Sequence, residues 1–219
     1  MSEKLHMDFD QRVVILVDQQ EWLPGSYEGE SRIFLEREDT DPEHQTLVIE
    51  YLANFSADRP RVCVNGEEIF VLRGSFADEH GNYPAGSYIR NPANFQYTPT
   101  SKDGCTVFIK LNQFALGDNE RKVINTNQQE WSPGHGGLKV MSLHQYGQSG
   151  TALVTWPANE KFQPHYHHGG EEVFVLSGTF KDEHGEYPTG TWMRNGHLSQ
   201  HHPWVDEETV IFVKTGHLI

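Results

Sequence analysis

Residues 66–91 of the chain read GEEIFVLRGSFADEHGNYPAGSYIRN, and residues 170–195 read GEEVFVLSGTFKDEHGEYPTGTWMRN. The two segments are identical at 17 of 26 positions, at a constant offset of 104 residues. An upstream block, QQEWLPG at residues 19–25, returns as QQEWSPG at residues 128–134 with an offset of 109. This agreement shows that the chain carries two copies of one domain of about 100 residues.

The repeat predicts the domain organisation. We expect one domain at residues 1–115 and a second at residues 116–219, with a junction near residues 116–123. The offsets differ by five residues (109 − 104), and we expect this extra length of the first copy in the acidic stretch at residues 36–44. Residues that the copies share are expected to serve the fold, whereas residues that differ mark where function has diverged.

Each copy has the sequence pattern of an all-β domain. Short runs rich in Val, Ile, Thr and aromatic residues are bounded by Gly, Pro, Asn and Asp, and no long stretch has apolar residues at helical spacing. Many short strands in about 100 residues indicate a sandwich, a jelly roll or a small barrel. The strands that we predict lie at residues 46–52, 68–72, 106–111, 151–156, 172–176 and 209–214.

The composition excludes several classes of function. The 219 residues include 17 Lys and Arg against 31 Asp and Glu, and the resulting net charge of −14 would be repelled by a nucleic-acid backbone. No apolar run approaches the ~20 residues of a membrane span, and the polar N-terminus does not resemble a signal peptide. Cys63 and Cys105 are too few for a disulfide framework or a cysteine metal site. We therefore expect a cytoplasmic protein without nucleic-acid or membrane partners.

Two shared motifs are interpreted as architecture. The sequence DEHG occurs at residues 78–81 and 182–185, each time before Tyr-Pro-x-Gly, and this pattern is typical of a hairpin turn. His184 in the second turn is therefore not expected to bind a metal. The Arg-Asn pairs at residues 90–91 and 194–195 are likewise expected to be structural.

Histidine distinguishes the two copies. Of the 13 His residues, ten lie after residue 111. In PHYHHGGE at residues 164–171, the side chains of His165 and His167 share one face of a strand, and Glu171 can return to that face after a Gly-Gly turn. A third imidazole is available from His201 or His202. Two or three imidazoles and a carboxylate suit a first-row divalent metal.

These residues also carry a family resemblance. The pattern H-x-H-x3-E-x6-G at residues 165–178 resembles the first motif of the cupin superfamily, and P-x-G at residues 188–190 resembles the start of its second motif. The chain departs from the broad pattern at Asn159, where a leading Gly is common, and in the ten residues that separate Gly190 from the last His. That longer spacing, ending in Ser-x-His-x-Pro at residues 199–203, is similar to the cupin domain of the ChrR-type group.

The resemblance covers both copies and implies two tandem cupin barrels, each a double-stranded β-helix or jelly roll. It implies that the ligands of one divalent transition metal per chain are His165, His167, Glu171 and His201, the last being the His of Ser-x-His-x-Pro. Zinc would favour a closed tetrahedral site, and iron(II) would keep open positions for substrate and O2. The residues favour these two metals over nickel or manganese without deciding between them.

The first copy has lost this ligand set. At the same offset, Arg61, Cys63 and Tyr97 replace the three His, while Glu67 remains. We predict an Arg61–Glu67 ion pair in place of the metal, because a buried Glu needs a partner. A residual Cys63–Glu67–Tyr97 site is the alternative. The first copy is expected to be a structural partner that covers the second copy or forms a homodimer.

The resemblance leaves two functions open. ChrR-type cupin domains occur in anti-sigma factors beside a zinc-binding helical domain, and because we see no such domain here we expect a stand-alone metal-dependent sensor or small-ligand-binding protein rather than a sigma-factor clamp. The alternative is a non-haem iron(II) dioxygenase that cleaves a β-diketone or hydroxyaryl ketone, similar to acetylacetone or dihydroxyacetophenone dioxygenases. Aromatic residues of the second copy would either line its substrate pocket or form ordinary core: Trp156, Phe162, Tyr166, Phe174, Trp192 and Trp204.

Overall fold

The computed structural model describes residues 4–38 and 43–219, so the inner part of the predicted extra length, residues 39–42, lies outside the described residues. The described residues form 24 β-strands and two short 3₁₀ helices, with no α-helix among them. The prediction of an all-β chain is confirmed. No helix in this part of the chain is long and apolar enough to cross a membrane.

The first fourteen strands, numbered in chain order, are β1 Lys4–Leu5, β2 Val13–Leu16, β3 Leu23–Pro24, β4 Glu30–Glu38, β5 His44–Tyr51, β6 Phe55–Ser56, β7 Arg61–Cys63, β8 Glu67–Asp78, β9 Gly81–Pro84, β10 Ser87–Asn91, β11 Phe95–Tyr97, β12 Thr100–Ser101, β13 Cys105–Leu111 and β14 Lys122–Asn125. The other ten are β15 Ser132–Pro133, β16 Lys139–Tyr146, β17 Ser149–Trp156, β18 His165–Tyr166, β19 Glu171–Ser177, β20 Thr179–Asp182, β21 Gly185–Pro188, β22 Thr191–Asn195, β23 Gln200–His201 and β24 Thr209–Thr215. The 3₁₀ helices are Val17–Gln19 and Thr126–Gln128.

The chain divides into two compact units. Unit 1 comprises Met1–Met7 and Gln20–Gln129, and unit 2 comprises Asp8–Gln19 and Glu130–Ile219. These units differ from the sequence division at residues 115 and 116, because β2 of the first copy belongs to the sheet of unit 2 and β14 of the second copy belongs to the sheet of unit 1.

The main sheet of unit 2 has seven antiparallel strands in the order β15-β16-β17-β24-β19-β22-β2. Its last strand, β2, pairs with β22 through the register Val13↔Arg194 to Leu16↔Thr191. Two small antiparallel sheets, β18-β23 and β20-β21, complete the unit. The main sheet stays open at β15 and β2, so its hydrogen-bond ladder does not close into a continuous barrel.

Unit 1 repeats this arrangement. The corresponding strands follow the order β4-β5-β13-β8-β10-β14, and β14, which opens the second sequence copy, pairs with β10 as β2 pairs with β22. The strands β7 and β11 form a separate pair, as β18 and β23 do in unit 2. The duplication in sequence is therefore a duplication of topology, with the end strands exchanged between the copies.

The core of unit 2 lies between its main sheet and the small β20-β21 sheet. Val173, Val175 and Met193 on the main sheet are fully buried, and they cluster with Phe180 of β20 and Tyr187 of β21. Alternation along each strand places these apolar side chains on one face. This packing fixes β19 and β22, the paired strands that carry the candidate ligand Glu171 and its neighbour Asn195.

Candidate metal centre

The pairing of β18 with β23 brings the histidines together. His165 and His201 are direct cross-strand partners in this two-stranded sheet. Side chains of opposed residues lie on the same side of an antiparallel pair and are close neighbours. Tyr166 alternates to the other face and is 61% exposed. Just beyond β18, the backbone N–H of His167 donates to Ser199 over 3.4 Å, so the second imidazole stays beside β23.

A two-glycine turn returns the chain to Glu171. Gly169 and Gly170 both have positive φ angles, 77° and 73°, a conformation that favours glycine. A Cβ at Gly169 would lie 2.6 Å from Cα of Gly216, so this turn also needs the space that glycine leaves. Glu171 then begins β19 as a buried residue.

The four side chains predicted as ligands converge on one point. Nε2 of His201 lies 3.3 Å from Nε2 of both His165 and His167. The Glu171 carboxylate approaches His167 through Oε1 at 3.3 Å and His201 through Oε2 at 3.6 Å. Among the described residues, these three histidines are the single group whose ligand atoms all lie within 4.8 Å of one another.

This donor set fits a divalent transition metal. Two nitrogens that each lie 2.0–2.1 Å from one metal are about 2.8–3.0 Å apart as neighbouring octahedral ligands and about 3.3–3.4 Å apart as tetrahedral ligands. The observed Nε2 separations of 3.3 Å are close to these spacings. One cation placed between these nitrogens could accept a lone pair from each of them.

The imidazole of His165 is oriented for this purpose. Its Nδ1 lies 3.0 Å from the carbonyl oxygen of Gln163, to which an Nδ1–H donates, and this leaves Nε2 with a free lone pair. Burial lowers the pKa of His165, and the neighbouring His167 and His201 lower it further. The neutral form, which is the form that coordinates a metal, is therefore favoured.

Asn195 has a role at the site that the sequence comparison missed. It is the register partner of Glu171 across β19 and β22, and its Nδ2 donates to Oε2 of Glu171 over 3.2 Å. The prediction that Asn195 is structural is thus incomplete, because the residue also orients a candidate ligand. The signal that could have identified it is the strand register rather than any motif.

Asp182 combines two roles. Its Oδ1 accepts from the His184 backbone at 2.8 Å, as expected for the predicted hairpin turn, and from the Tyr187 hydroxyl at 2.7 Å. Its Oδ2 lies 3.6 Å from Nδ1 of His201. Burial raises the pKa of Asp182, but the nearby His201 imidazole, the hydrogen bonds from Tyr187 and the His184 backbone and the charge of Arg12 outweigh it and hold the pKa well below its usual range. The ionised carboxylate of Asp182 therefore lies next to the candidate ligand His201.

The structure separates the candidate histidines. His184 lies exposed in its turn, as predicted, and His202 is exposed next to β23. His201 is buried and is the member of that pair that reaches the cluster. The alternative left open by the residues alone, His201 or His202, is thus decided by the geometry.

The cluster lies at the wall of a cavity of about 240 Å³. Most of the remaining lining is apolar, so a molecule in this cavity would meet the four polar side chains at one end. Trp156 and Phe162 line the cavity as the pocket hypothesis predicted, Tyr166 is exposed, and Phe174, Trp192 and Trp204 are not part of the lining. The lining residues beyond the cluster and these two aromatics are His135, Leu138, Val140, Val154, Phe180, Pro203, Ile211, Val213 and Thr215.

The first copy holds the predicted ion pair at the equivalent position. Nη1 of Arg61 donates to Oε2 of Glu67 over 3.4 Å, and the other oxygen of Glu67 accepts from Tyr97 at 2.7 Å and Asn91 at 3.2 Å. Arg61 also reaches Glu30 at 3.3 Å. Both carboxylate oxygens of Glu67 therefore have donors from the protein itself.

Sequence comparison identifies the family. A family model for the ChrR Cupin-like domain matches residues 10–115 and again residues 119–219. The chain therefore belongs to the cupin superfamily, as a ChrR-type cupin with two domain copies. Among curated proteins, none matches the chain.

Solved structures show the same fold at low sequence identity. The "putative dioxygenase" of Nostoc punctiforme superposes with a TM-score of 0.79 at 14% identity, over 95% of this chain and 84% of its own. The Escherichia coli protein YlbA gives a TM-score of 0.71 at 12% identity, over 95% and 92%. Bacillus subtilis oxalate decarboxylase, a protein with Mn(II) centres, gives 0.65 at 10% identity, over 94% and 77%. The prediction of two tandem cupin domains is confirmed.

Proposed function

We propose that unit 2 binds one divalent transition metal through His165, His167, Glu171 and His201, and uses it to bind a small, largely apolar molecule as a sensor or ligand-binding protein. The observation that carries the proposal is the convergence of these four donors at one end of an apolar cavity. The cavity volume of about 240 Å³ lies below the roughly 300–1,000 Å³ of pockets for drug-sized ligands, so we expect a ligand smaller than a drug-sized molecule.

The chemistry of the lining defines the ligand further. Aliphatic and aromatic walls favour a hydrocarbon or aryl body. Most of the polar side chains in the lining belong to the histidine cluster and Glu171, so the ligand should place its oxygen atoms against them. A bound metal would act there as Lewis acid and template.

A non-haem iron(II) dioxygenase is the second candidate function. It is favoured by the accessible cavity beside the donor set, because an oxygenase needs room for both a substrate and O2 at the metal. The β-diketones and hydroxyaryl ketones expected for this activity carry their few oxygens on an otherwise apolar body. The fold is shared with the Nostoc protein described as a "putative dioxygenase" and with Bacillus subtilis oxalate decarboxylase, and the Mn(II) centres of the latter support metal chemistry on such a scaffold.

One experiment separates the two candidates. The protein is purified without added metal, its metal content is measured, and the apoprotein is then loaded anaerobically with iron(II) or zinc. O2 consumption is recorded with a panel of β-diketones and hydroxyaryl ketones, and ligand-induced shifts of the thermal midpoint are recorded with the same panel.

The outcomes are distinct. O2 uptake that requires iron(II) and a ketone supports the dioxygenase. Thermal shifts without O2 uptake support the sensor or binding protein, and co-purification of an extracytoplasmic-function sigma factor would assign its output. A protein that retains neither metal contradicts the metal centre itself.

A further inference from the structure

The side chain of Arg12, in the N-terminal segment, contacts two residues that neighbour the candidate metal ligands. Arg12 belongs to Asp8–Gln19, the stretch of the first sequence copy that lies in unit 2. Its side chain is 30% exposed, and its guanidinium faces two residues that are distant in sequence. Nε donates to Oδ1 of Asn195 and Nη2 to Oδ2 of Asp182, each over 2.9 Å.

Each of these two residues lies next to a candidate ligand: Asn195 next to Glu171 and Asp182 next to His201. The Asn195 amide accepts from Arg12 with its oxygen and donates to Glu171 with its nitrogen, so the guanidinium determines which way the amide points. The Asp182 oxygen that Arg12 contacts is the same Oδ2 that faces His201. The guanidinium of Arg12 thus contacts both Asn195, which bonds the Glu171 carboxylate, and Asp182, which faces the His201 imidazole.

The segment that carries Arg12 is fixed by its own contacts. Strand β2 pairs with β22 directly after Arg12, and Arg194 donates to the carbonyl oxygen of Asp8 over 2.9 Å. The Arg194 guanidinium also lies over the ring of Phe9 at 4.8 Å. The position of Arg12 is therefore determined on both sides along the chain.

We propose that Arg12 is a positioning residue of the metal centre, acting through Asn195 on Glu171 and through Asp182 on His201. This inference rests on the proposed function of unit 2 as a metal site. Residues that orient ligands typically change metal affinity by about 10–100-fold when they are removed. Arg12→Ala frees the Asn195 amide to rotate and leaves the buried Asp182 carboxylate without its cation.

The duplication provides a matched control. Arg121 is the counterpart of Arg12 at the offset of 109 residues, and it lies beside Tyr83 as Arg12 lies beside Tyr187. In unit 1, however, Glu67 is bonded by Arg61 rather than by a metal. Arg121→Ala removes the same kind of side chain from the same kind of position without touching a donor set.

The test titrates apoprotein with Co(II) and follows the visible absorption bands, which report both affinity and ligand geometry. We expect Arg12→Ala to weaken Co(II) binding about 10–100-fold and to shift the bands, while Arg121→Ala stays within about twofold of the unsubstituted protein. Arg12→Lys keeps the charge but lacks the planar fork, so it should also shift the bands. Thermal unfolding of each apoprotein reports on the fold, and Arg12→Lys carries the test if Arg12→Ala does not fold.

The result also distinguishes this inference from the proposed function. If His167→Ala binds Co(II) as well as the unsubstituted protein does, the metal centre is wrong. If His167→Ala loses Co(II) while Arg12→Ala and Arg12→Lys keep the original affinity and bands, the centre stands and the role of Arg12 is wrong. Equal weakening by Arg12→Ala and Arg121→Ala would also overturn it.

Discussion

Arg61 donates to Glu67 across 3.4 Å in unit 1, and Glu67 is the aligned counterpart of the candidate ligand Glu171. The first copy therefore has the acidic residue paired with a cation that is part of the chain. A guanidinium stays charged at all ordinary pH values. Unit 1 carries its positive charge permanently, whereas unit 2 is expected to acquire one from solution.

The Arg61–Glu67 pair should be needed for the stability of unit 1. Both side chains are at most 10% exposed, so Arg61→Ala leaves an uncompensated buried carboxylate. We expect a loss of about 3 kcal/mol in the free energy of unfolding, measured with urea. Adding Glu67→Gln should recover part of this loss, because the remaining group is neutral. Arg73→Ala, which breaks an exposed pair with Glu50, is the control and should change stability by less than about 1 kcal/mol.

Metal retention should depend on His167 and not on His184. His167→Ala removes a donor from the converging set, whereas His184 lies in an exposed turn outside it. We expect one equivalent of divalent metal in the unsubstituted protein and in His184→Ala, and little in His167→Ala, by elemental analysis after gel filtration. Tyr166→Ala, next to two candidate ligands but 61% exposed, should also retain the metal. Equal losses in His167→Ala and His184→Ala would show that the turn has been misinterpreted.

Filling the cavity should separate ligand binding from metal binding. Val154 lines the cavity from β17 and supplies none of the four donors. We expect Val154→Trp to keep the metal and to lose the thermal shift or O2 uptake that a small ketone produces. Val62→Trp, at a site that is 48% exposed, is the control for adding an indole. A Val154→Trp protein that still responds to the ketone would place the ligand elsewhere.

The two cysteines should be unreactive in the folded protein. Burial raises the pKa of the Cys105 thiol to about 11, against a smaller opposing effect of a hydrogen bond with Ser101. Burial and the nearby Glu67 raise the pKa of Cys63 as well. Because the thiolate is the reactive form, we expect no labelling by a disulfide reagent at pH 8 until denaturant is added.

The same shifts predict a pH dependence. The thiols of the unfolded chain ionise near pH 8.5, below the raised pKa of Cys105 in the folded protein. The folded state therefore binds more protons between these values, and its stability should fall as the pH rises above about 8.5. Cys105→Ser would reduce this slope, which urea unfolding at pH 8 and pH 10 can measure. An unchanged slope in Cys105→Ser would contradict the assignment.

The sequence was sufficient for the cupin fold class, and the difference between the copies at three histidine positions, together with the family resemblance, nominated the four candidate ligands. The same comparison could not reveal Asn195, because its counterpart Asn91 bonds Glu67 just as Asn195 bonds Glu171. A residue that supports the shared glutamate is kept whether or not a metal is bound. Comparing the copies therefore assigns such residues to the fold alone.

The exchange of end strands was also beyond sequence reasoning. The runs VVIL at residues 13–16 and KVIN at residues 122–125 occupy equivalent positions in the repeat. Either run can pair with β10 or β22, because backbone hydrogen bonds do not depend on which copy supplies the strand. Which of the two runs pairs with β10 and which with β22 depends on the positions of the segments before and after each run in the folded chain. Arg12 was missed for the same reason.

The strand exchange also sets an order for biosynthesis. β14 leaves the ribosome soon after its partner β10, so the sheet of unit 1 can be completed while the second half is still being translated. β2 precedes its partner β22 by 178 residues (191 − 13), a delay of roughly 10–35 s at typical translation rates. During that interval its backbone donors and acceptors lack their final partner strand. The sheet of unit 2, with the candidate metal centre, is therefore completed after the sheet of unit 1.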